Sequence, residues 1–338
     1  MARSVLGVLL STVIMGFYGC DVFQNDPLKD VVYDPTLVSI QIDHPGFPNI
    51  PKHADNPVTE EGIALGRKLY YDSRLHENSE HSCATCHQQQ NAFTSDKSVL
   101  THINLGFDNV FLWKGDKQGT LEDIMLFEVD EFFNADMSKL SVDEDYRRMF
   151  KQAFGIEKIE SQYAAYALAQ FLKTLNSYNS KYDQYLRNEI DLTDAEKRGE
   201  LIFFSEIGDC FHCHSAPLFK DNLLHNNGLD SDYKTDEDYG HYRISGIAAD
   251  KGKFKTPTLR NIELTAPYMH DGRFETLEEV IVYYSYGVNN VANIDPLMKQ
   301  AYKGGIALEP DDILALVAFL KTLTDYDVIE NKDFGPIE

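Results

Sequence analysis

Residues 83–87 read CATCH, and residues 210–214 read CFHCH. Both stretches have the pattern Cys-x-x-Cys-His, and together they hold four of the five cysteines in a chain of 338 residues. Each stretch follows a segment that predicts a helix, with Thr59 and Thr193 as the N-caps. The same unit therefore occurs twice, and the sequence predicts two modules in tandem.

A second repeated segment marks the end of each module. QFLKTLNSY at residues 170–178 and AFLKTLTDY at residues 318–326 share FLKTL and a tyrosine three residues later. In the opening helices, Gly66 and Gly199 each stand three residues before an apolar, partly aromatic triplet. Long strand patterns are absent. We therefore expect a mostly α fold in which each module opens with a helix before its cysteines and closes with an FLKTL helix.

The N-terminal 20 residues have the pattern of a bacterial signal peptide. Arg3 precedes an apolar run from Val5 to Tyr18 that is too short to span a bilayer, and Gly19 and Cys20 follow. This end resembles the lipobox of a lipoprotein, with Cys20 as the acylated residue, and a plain secretion signal is the alternative. We expect an exported, periplasmic protein that is held to a membrane only through its lipid anchor.

Composition divides the remaining chain into a tether and two domains. Six of the twelve prolines fall between Pro27 and Pro57, so residues 21–57 are predicted to be an extended tether. The N-terminal domain is predicted at residues 58–190 and the C-terminal domain at residues 191–338. The formal net charge is −23, which argues against a nucleic-acid partner or an anionic membrane surface because either would repel the chain.

The spacing of the cysteines and the histidine is the attachment pattern of c-type haem. Two thiols must reach the two vinyl groups of one porphyrin while the adjacent imidazole reaches the iron. A redox dithiol and half of a zinc site are the competing interpretations, but two copies in an exported chain, each ending in histidine, favour haem. The sequence thus predicts two tandem cytochrome c-type domains, each with one covalently bound haem c. The predicted attachment residues are Cys83, Cys86, Cys210 and Cys213, and the predicted iron ligands are His87 and His214.

Four segments resemble the bacterial dihaem cytochrome c peroxidase and MauG family. They are ALGRKLYYDSRL (64–75), SCATCH (82–87), GDCFHCHSAPLF (208–219) and KGKFKTPTLRNIELTAPYMHDGRFETLEEV (251–280). The resemblance covers roughly residues 58–330. It implies a hydrogen-peroxide-dependent enzyme, a dihaem peroxidase or MauG-like oxidase, that reacts with peroxide at the His87 haem and relays electrons through the His214 haem.

The resemblance also implies the kinds of partner. A peroxidase would take electrons from a small cytochrome c or a cupredoxin, and a basic donor would complement the acidic surface. A MauG-like enzyme would instead oxidise side chains of a protein substrate. A non-enzymatic periplasmic dihaem electron-transfer protein is the alternative function.

Residues near the first haem carry the next expectations from the resemblance. Trp113, the only tryptophan, stands in WKGD where the family has W-D-G-R, and would transfer electrons or holes between the haems; a packed core aromatic is the alternative. The distal glutamate of the family falls on Asn134, which cannot act as an acid or a base. An acidic neighbour would have to substitute for it, and the candidates are Asp130, Glu131 and Asp136.

A histidine ligand and a calcium site are also implied. His102 follows His87 by fifteen residues, in the loop where peroxidase members hold a histidine that blocks the first haem until reduction; a surface histidine is equally compatible with this loop. Calcium lies between the domains of the family and is held partly by backbone carbonyls. The matching positions here are Asn109, Thr265 and Pro267.

The sixth ligand of the second haem is expected to be Tyr284. Thr276 opens a predicted helix on which Leu277, Val280, Ile281 and Tyr284 share one apolar face. The family places a methionine or, in MauG-type members, a tyrosine fourteen residues after the histidine of PY-x-HDG, and counting from His270 gives Tyr284. A phenolate would stabilise ferric and higher states of the iron. Met269 is expected to be a packing residue.

Overall fold

The computed structural model of the protein describes residues 28–42, 44 and 46–337. The predicted signal peptide, with Cys20, lies outside these residues. In the described part of the chain, no helix is both long enough and apolar enough to cross a membrane. The architecture is mostly helical, as the sequence predicts.

The described residues form twelve α-helices and four strands of two residues each. The helices are α1 (Glu60–Tyr71), α2 (Cys83–Cys86), α3 (Leu121–Phe127), α4 (Ser138–Ser141), α5 (Glu144–Phe154), α6 (Ser161–Leu172), α7 (Lys181–Leu186), α8 (Asp194–Phe203), α9 (Tyr242–Ser245), α10 (Leu277–Tyr286), α11 (Pro310–Lys321) and α12 (Tyr326–Glu330). The strands are β1 (Val110–Phe111), β2 (Lys117–Gln118), β3 (Leu224–His225) and β4 (Phe254–Lys255). A π-helical segment, Glu128–Phe132, continues α3.

Short 3-10 helices connect these elements. They span Ser73–Leu75, Gln89–Asn91, Leu105–Phe107, Cys210–His212, Glu237–Tyr239, Ala248–Asp250, Ile262–Leu264, Ala301–Lys303 and Lys332–Phe334.

Three helices begin at the predicted caps. The Thr59 side chain accepts a hydrogen bond from an amide in the first turn of α1. Thr193 and Thr276 form capping boxes with Glu196 and Glu279 at the starts of α8 and α10. Each cap satisfies amide groups that a first helical turn leaves unpaired, so these starts are encoded locally.

Two helix crossings organise the modules. α1 packs across α6, and α8 packs across α11. Gly66 and Gly199 lie at the crossings, where an added Cβ would come within 2.0 Å of the carbonyl oxygens of Ala167 and Ala315, respectively. The repeated glycines are therefore explained by close backbone approach in the same place in each module.

Each crossing lies in a hydrophobic core of its own. The first core draws on residues 65–175 and on Val328, and the second draws on residues 182–323. Tyr182 of α7 packs in the second core. This helix therefore packs with the second module, although it precedes the predicted domain boundary at residue 190. Val328 of α12 packs in the first core, so the C-terminal tail crosses back to the N-terminal module.

The segment before α1 is extended but is not a free tether. Leu28 is buried, and its carbonyl accepts a hydrogen bond from Lys151 Nζ at 3.1 Å. His44 Nε2 lies 2.9 Å from a carboxylate oxygen of Asp183 in the second module. The described part of residues 21–57 thus packs on both modules, which corrects the tether prediction; the proline content gives extension without saying what the segment contacts.

The strands bring the two modules together near one turn. β1 pairs antiparallel with β2, and β3 pairs antiparallel with β4. Trp113 lies in the turn between β1 and β2, and its carbonyl accepts a hydrogen bond from the Lys255 amide of β4 at 2.8 Å. A backbone hydrogen bond therefore fixes this turn of the first module to the second.

Buried charges join the modules at the same place. Asp108 of the first module pairs with Lys220 and Lys255 of the second, with 3.0 Å between Lys255 Nζ and the carboxylate. Lys220 Nζ also donates to the Asn104 carbonyl at 2.9 Å. All three charged side chains are almost fully buried, and burial lowers the pKa of Lys220 to about 8. We call Asp108, Lys220 and Lys255 the junction cluster.

Candidate haem centres

The two Cys-x-x-Cys-His stretches hold their histidines in the same way. His87 Nδ1 donates to the Phe93 carbonyl at 3.1 Å, and His214 Nδ1 donates to the Phe219 carbonyl at 3.0 Å. Because a carbonyl oxygen can only accept, the proton lies on Nδ1 and the Nε2 lone pair is left for a metal. Burial lowers the pKa of His87 to about 4 and also lowers the pKa of His214, so both rings are held in the neutral, metal-binding form.

The four cysteines of the two stretches are free. Burial raises the pKa of Cys210 to about 12 and that of Cys213 to about 12, and it raises the pKa of Cys83. Neither pair forms a disulfide, so both pairs are available for thioether bonds to a porphyrin.

A large apolar cavity lies beside the second stretch. Cys210, Cys213 and His214 are on its wall, facing Tyr284 of α10. Most other lining side chains are apolar, among them Phe203 of α8, Ile281 of α10, and Leu316 and Leu320 of α11. Two thiols and a neutral imidazole in an apolar cavity are the donor set of a covalently attached haem, so these residues fit the predicted cofactor.

Two further side chains offer a ligand atom in this cavity. The Tyr284 hydroxyl accepts a hydrogen bond from Asn227 Nδ2 at 3.0 Å, and the same nitrogen donates to Met269 Sδ at 3.8 Å. Tyr284 therefore faces inward, where the helical periodicity puts it. Met269, expected to be a packing residue, also lines the cavity and is a second candidate ligand. Burial raises the pKa of Tyr284 to about 12, so a nearby cation would be needed to deprotonate it.

His102 lies against His87 and not across from it. The two ring centroids are 3.5 Å apart with planes inclined by 15°, and the Tyr70 hydroxyl lies 3.1 Å from His102 Nδ1. Two axial ligands of one iron lie on opposite faces of the porphyrin. The stacking puts His102 beside His87 in this structure, and its role as a switchable haem ligand stays a prediction of the sequence.

Trp113 is shared by the two modules. It belongs to the first module, but it lines the cavity of the second. Its indole Nε1–H donates to the Ser98 carbonyl at 2.9 Å. The ring is thus held in one orientation at the module boundary, as a residue between two redox centres would have to be.

The predicted distal residues are exposed and engaged elsewhere. Glu131 lies 3.6 Å from Lys117 Nζ, and Asn134 Nδ2 donates to Glu77 at 2.9 Å. The alternative carboxylates, Asp130 and Asp136, are also exposed. The structure therefore does not bring Glu131 or Asn134 to the first haem centre, because the π-helical segment and the turn after it direct these side chains to the surface.

Glu128 is an acidic residue that sequence reasoning missed. It is half-buried at the start of the π-helical segment, and its charge adds to the effect of burial in raising the pKa of the Cys83 thiol. Burial raises the pKa of Glu128 to about 7. Within the part of the chain that the structure describes, no hydrogen bond or ion pair holds its carboxylate. The sequence signal that could have identified Glu128 is its position eight residues after the capping residue Thr120, the same separation as between Thr276 and Tyr284.

The predicted calcium residues lie in two segments. Thr265 and Pro267 precede His270, and among the described residues neither of their carbonyls accepts a hydrogen bond. Asn109 is exposed, and its carbonyl accepts from the Gly119 amide at 3.0 Å. Free carbonyl oxygens suit a hard cation, but calcium itself stays a prediction of the sequence.

Comparisons with known proteins point to one family. The sequence profile of di-haem cytochrome c peroxidases matches residues 60–191. The chain is 31% identical over 309 residues to cytochrome-c peroxidase IdrP2 of Denitromonas iodatirespirans, covering 78% of this chain and 81% of that protein. It is 30% identical over 293 residues to methylamine utilization protein MauG of Methylophilus methylotrophus, covering 80% and 86%.

A solved structure shares the fold. A MauG-like protein associated with microbial copper homeostasis superposes with a TM-score of 0.79 and 34% identity, covering 88% of this chain and 99% of that one. The likeness therefore extends over both modules and the junction between them.

Proposed function

The chain belongs to the di-haem cytochrome c peroxidase and MauG family, and from this premise we propose that it is a dihaem c oxidoreductase that reacts with hydrogen peroxide at the haem attached to Cys83 and Cys86. Members of this family include peroxidases and the MauG oxidase. The haem attached to Cys210 and Cys213 relays electrons. The alternative is a dihaem protein that transfers electrons without catalysis.

The observation that carries this assignment is the inward position of Tyr284. The Tyr284 hydroxyl and His214 both line the second cavity, so each could provide a ligand to the iron of the second haem. A haem with two protein ligands has no free position for peroxide. Reaction with peroxide therefore belongs to the first haem, which His87 holds.

The two modules would hold their haems through equivalent residues. When bound, the haem supplies an iron that can bind peroxide and exchange electrons. His87 and His214 present Nε2 to the iron because the Phe93 and Phe219 carbonyls fix Nδ1. The apolar side chains around the second cavity exclude water and so strengthen electrostatic interactions within it.

Trp113 is the proposed route between the haems. Its ring lines the second cavity while its hydrogen bond to Ser98 holds it to the first module. An aromatic ring fixed between two redox centres shortens the gap that an electron or hole must cross. In a MauG-like reaction the same route would draw electrons from a protein substrate.

The position of His102 favours reaction in the fully oxidised state. Its ring is stacked on His87, so it would lie beside the proximal ligand and would leave the opposite face of the first haem open. The first haem would then need no prior reduction to open a site for peroxide. This behaviour fits a MauG-like enzyme better than a peroxidase that reduction must activate.

The reducing partner is proposed from charge. With a formal net charge of −23, the protein would attract a basic small cytochrome c or cupredoxin, or a basic protein substrate. Export to the periplasm and the lipid anchor at Cys20 remain predictions of the sequence, as does calcium bound to the carbonyls of Thr265 and Pro267.

A peroxide titration tests the proposal. The fully ferric protein is mixed with one equivalent of hydrogen peroxide, and the absorption spectrum is followed in time. We expect a rapid change without prior reduction. Reaction only after half-reduction would favour the peroxidase that needs activation, and no change in either state would leave the electron carrier as the function.

A further inference from the structure

In the internal repeat, α3 of the first module corresponds to α10 of the second module. α3 begins after Thr120, which forms a capping box with Asp123, and α10 begins after Thr276, which forms a capping box with Glu279. Tyr284 follows its capping threonine by eight residues. Counting eight residues from Thr120 gives Glu128.

The structure supports this correspondence through the cysteines. Tyr284 is in electrostatic contact with Cys213 and Cys210 of its own module. Glu128 is in electrostatic contact with Cys83 of its own module. Tyr284 and Glu128 thus each lie near the attachment cysteines of one haem, at the same distance in sequence from a capping threonine.

The surroundings of Glu128 leave its carboxylate free for a ligand. The neighbouring Phe127 and Val129 pack with the first hydrophobic core, and this packing fixes the backbone. The π-helical segment begins at Glu128, and such segments often occur at functional sites. Within the described residues the carboxylate has no hydrogen-bond or ion-pair partner, although a buried carboxylate without a partner is costly.

We propose that Glu128 is the acid–base catalyst on the open face of the first haem. The inference rests on the proposed reaction with hydrogen peroxide at that haem. Glu128 would be the acid–base group in place of Asn134 or Glu131. In the first module it holds the position that Tyr284 holds in the second.

The proton chemistry balances with one carboxylate. Glu128 takes the proton from the peroxide oxygen nearer the iron and returns it to the outer oxygen, which leaves as water when the O–O bond breaks. The bound haem would supply the electron pair that this cleavage consumes. Two electrons from the external donor and two protons from solvent would then balance the reaction by releasing the second oxygen as water.

Burial adjusts the carboxyl group to this task. It raises the pKa of Glu128 to about 7, and a group that both accepts and donates a proton works best when its pKa is near the working pH. The other titratable or charged groups nearby are the Cys83 thiol, which haem attachment consumes, Tyr70, which contacts that thiol, and Lys117, which lies 3.8 Å from the centre of the Phe127 ring.

The test is the peroxide reaction of a Glu128→Gln variant of the holoprotein. We expect the second-order rate constant to fall by about 100-fold or more, since general acid–base catalysis contributes about 10²–10⁴-fold. In the unsubstituted protein the rate should rise with pH through about 7 as Glu128 loses its proton, and the variant should lack this step. Glu128→Asp, which keeps the acid but shortens it, should react at an intermediate rate.

The matched control is Glu80→Gln. Glu80 is exposed in the loop before Cys83, so its loss should leave the rate unchanged. Haem content and the ferric spectrum of every variant establish that the first haem is attached. A Glu128→Gln variant as fast as the unsubstituted protein would overturn the inference while leaving the proposed function intact.

Two other outcomes are also decisive. If Glu128→Gln reacts faster and the ferric spectrum of the first haem changes, the carboxylate is an iron ligand and not an acid–base catalyst. If the unsubstituted protein does not react with peroxide, the proposed function fails and the inference fails with it.

Discussion

At the residue scale, Asn227 connects the two candidate ligands of the second haem. Its amide nitrogen donates to the Tyr284 hydroxyl and to the Met269 sulfur, so both atoms reach the same part of the cavity. A phenolate is the harder and more basic ligand, and it stabilises ferric iron, whereas a thioether favours the ferrous state. The choice between them would therefore set which oxidation state of the second haem, the proposed electron relay, is favoured.

Substitution of Tyr284 distinguishes the two ligands. If Tyr284 binds the iron, Tyr284→Phe should abolish the phenolate-to-iron charge-transfer band in the ferric absorption spectrum. Tyr283→Phe is the control, because the Tyr283 hydroxyl donates to the Asn227 carbonyl at 2.9 Å and Tyr283 is not among the residues that line the cavity. A spectrum that Tyr284→Phe leaves unchanged but Met269→Leu alters would assign the ligand to Met269.

At the element scale, the helix crossings depend on a missing side chain. Gly66 of α1 and Gly199 of α8 each face a backbone carbonyl of the crossing helix. Backbone cannot move aside as a flexible side chain can, so a methyl group at either position must push the two helices apart.

Gly66→Ala tests the crossing. We expect the free energy of unfolding to fall by about 3 kcal/mol or more, because the added Cβ overlaps a main-chain atom. Denaturant unfolding of the holoprotein measures the change. Ala64→Ser, which adds one atom at an exposed position of the same helix, should have little effect, and a loss below about 1 kcal/mol for Gly66→Ala would contradict the crossing geometry.

At the scale of the whole molecule, the junction cluster fixes the two modules beside Trp113. Asp108 is the acid that neutralises Lys220 and Lys255 in a buried site. Removing one member of a buried ion pair leaves the remaining charge without compensation, which costs more than the pair itself contributes. The orientation of the modules, and so the position of Trp113 at the module boundary, depends on this carboxylate.

Asp108→Asn should therefore destabilise the protein. We expect a loss of about 3–5 kcal/mol in the free energy of unfolding, together with slower electron transfer between the haems after rapid reduction. Asp232→Asn, at an exposed position, is the control and should change neither quantity. Unaltered stability and transfer rate in Asp108→Asn would show that the junction cluster does not hold the modules in place.

Much of the architecture is encoded in short segments. The caps at Thr59, Thr193 and Thr276 act within one helical turn, so the starts of α1, α8 and α10 follow from neighbouring residues. The paired Cys-x-x-Cys-His stretches and the repeated FLKTL segments predict two helical modules, and the fold is mostly helical as expected. The inward face of Tyr284 follows from helical periodicity alone.

Only the tertiary structure decided the positions of two kinds of side chain. The first kind has partners that are distant in sequence, and the second kind points in a direction that depends on a change from α-helix to π-helix. The loop after His87 folds back so that the His102 ring stacks on the His87 ring. A spacing of fifteen residues does not determine on which side of His87 the second ring lies. The π-helical turn exposes Glu131 and leaves Glu128 half-buried, where its charge adds to the effect of burial on the pKa of Cys83. Local sequence determines which elements form, whereas the burial of each side chain depends on long-range packing that no single segment contains.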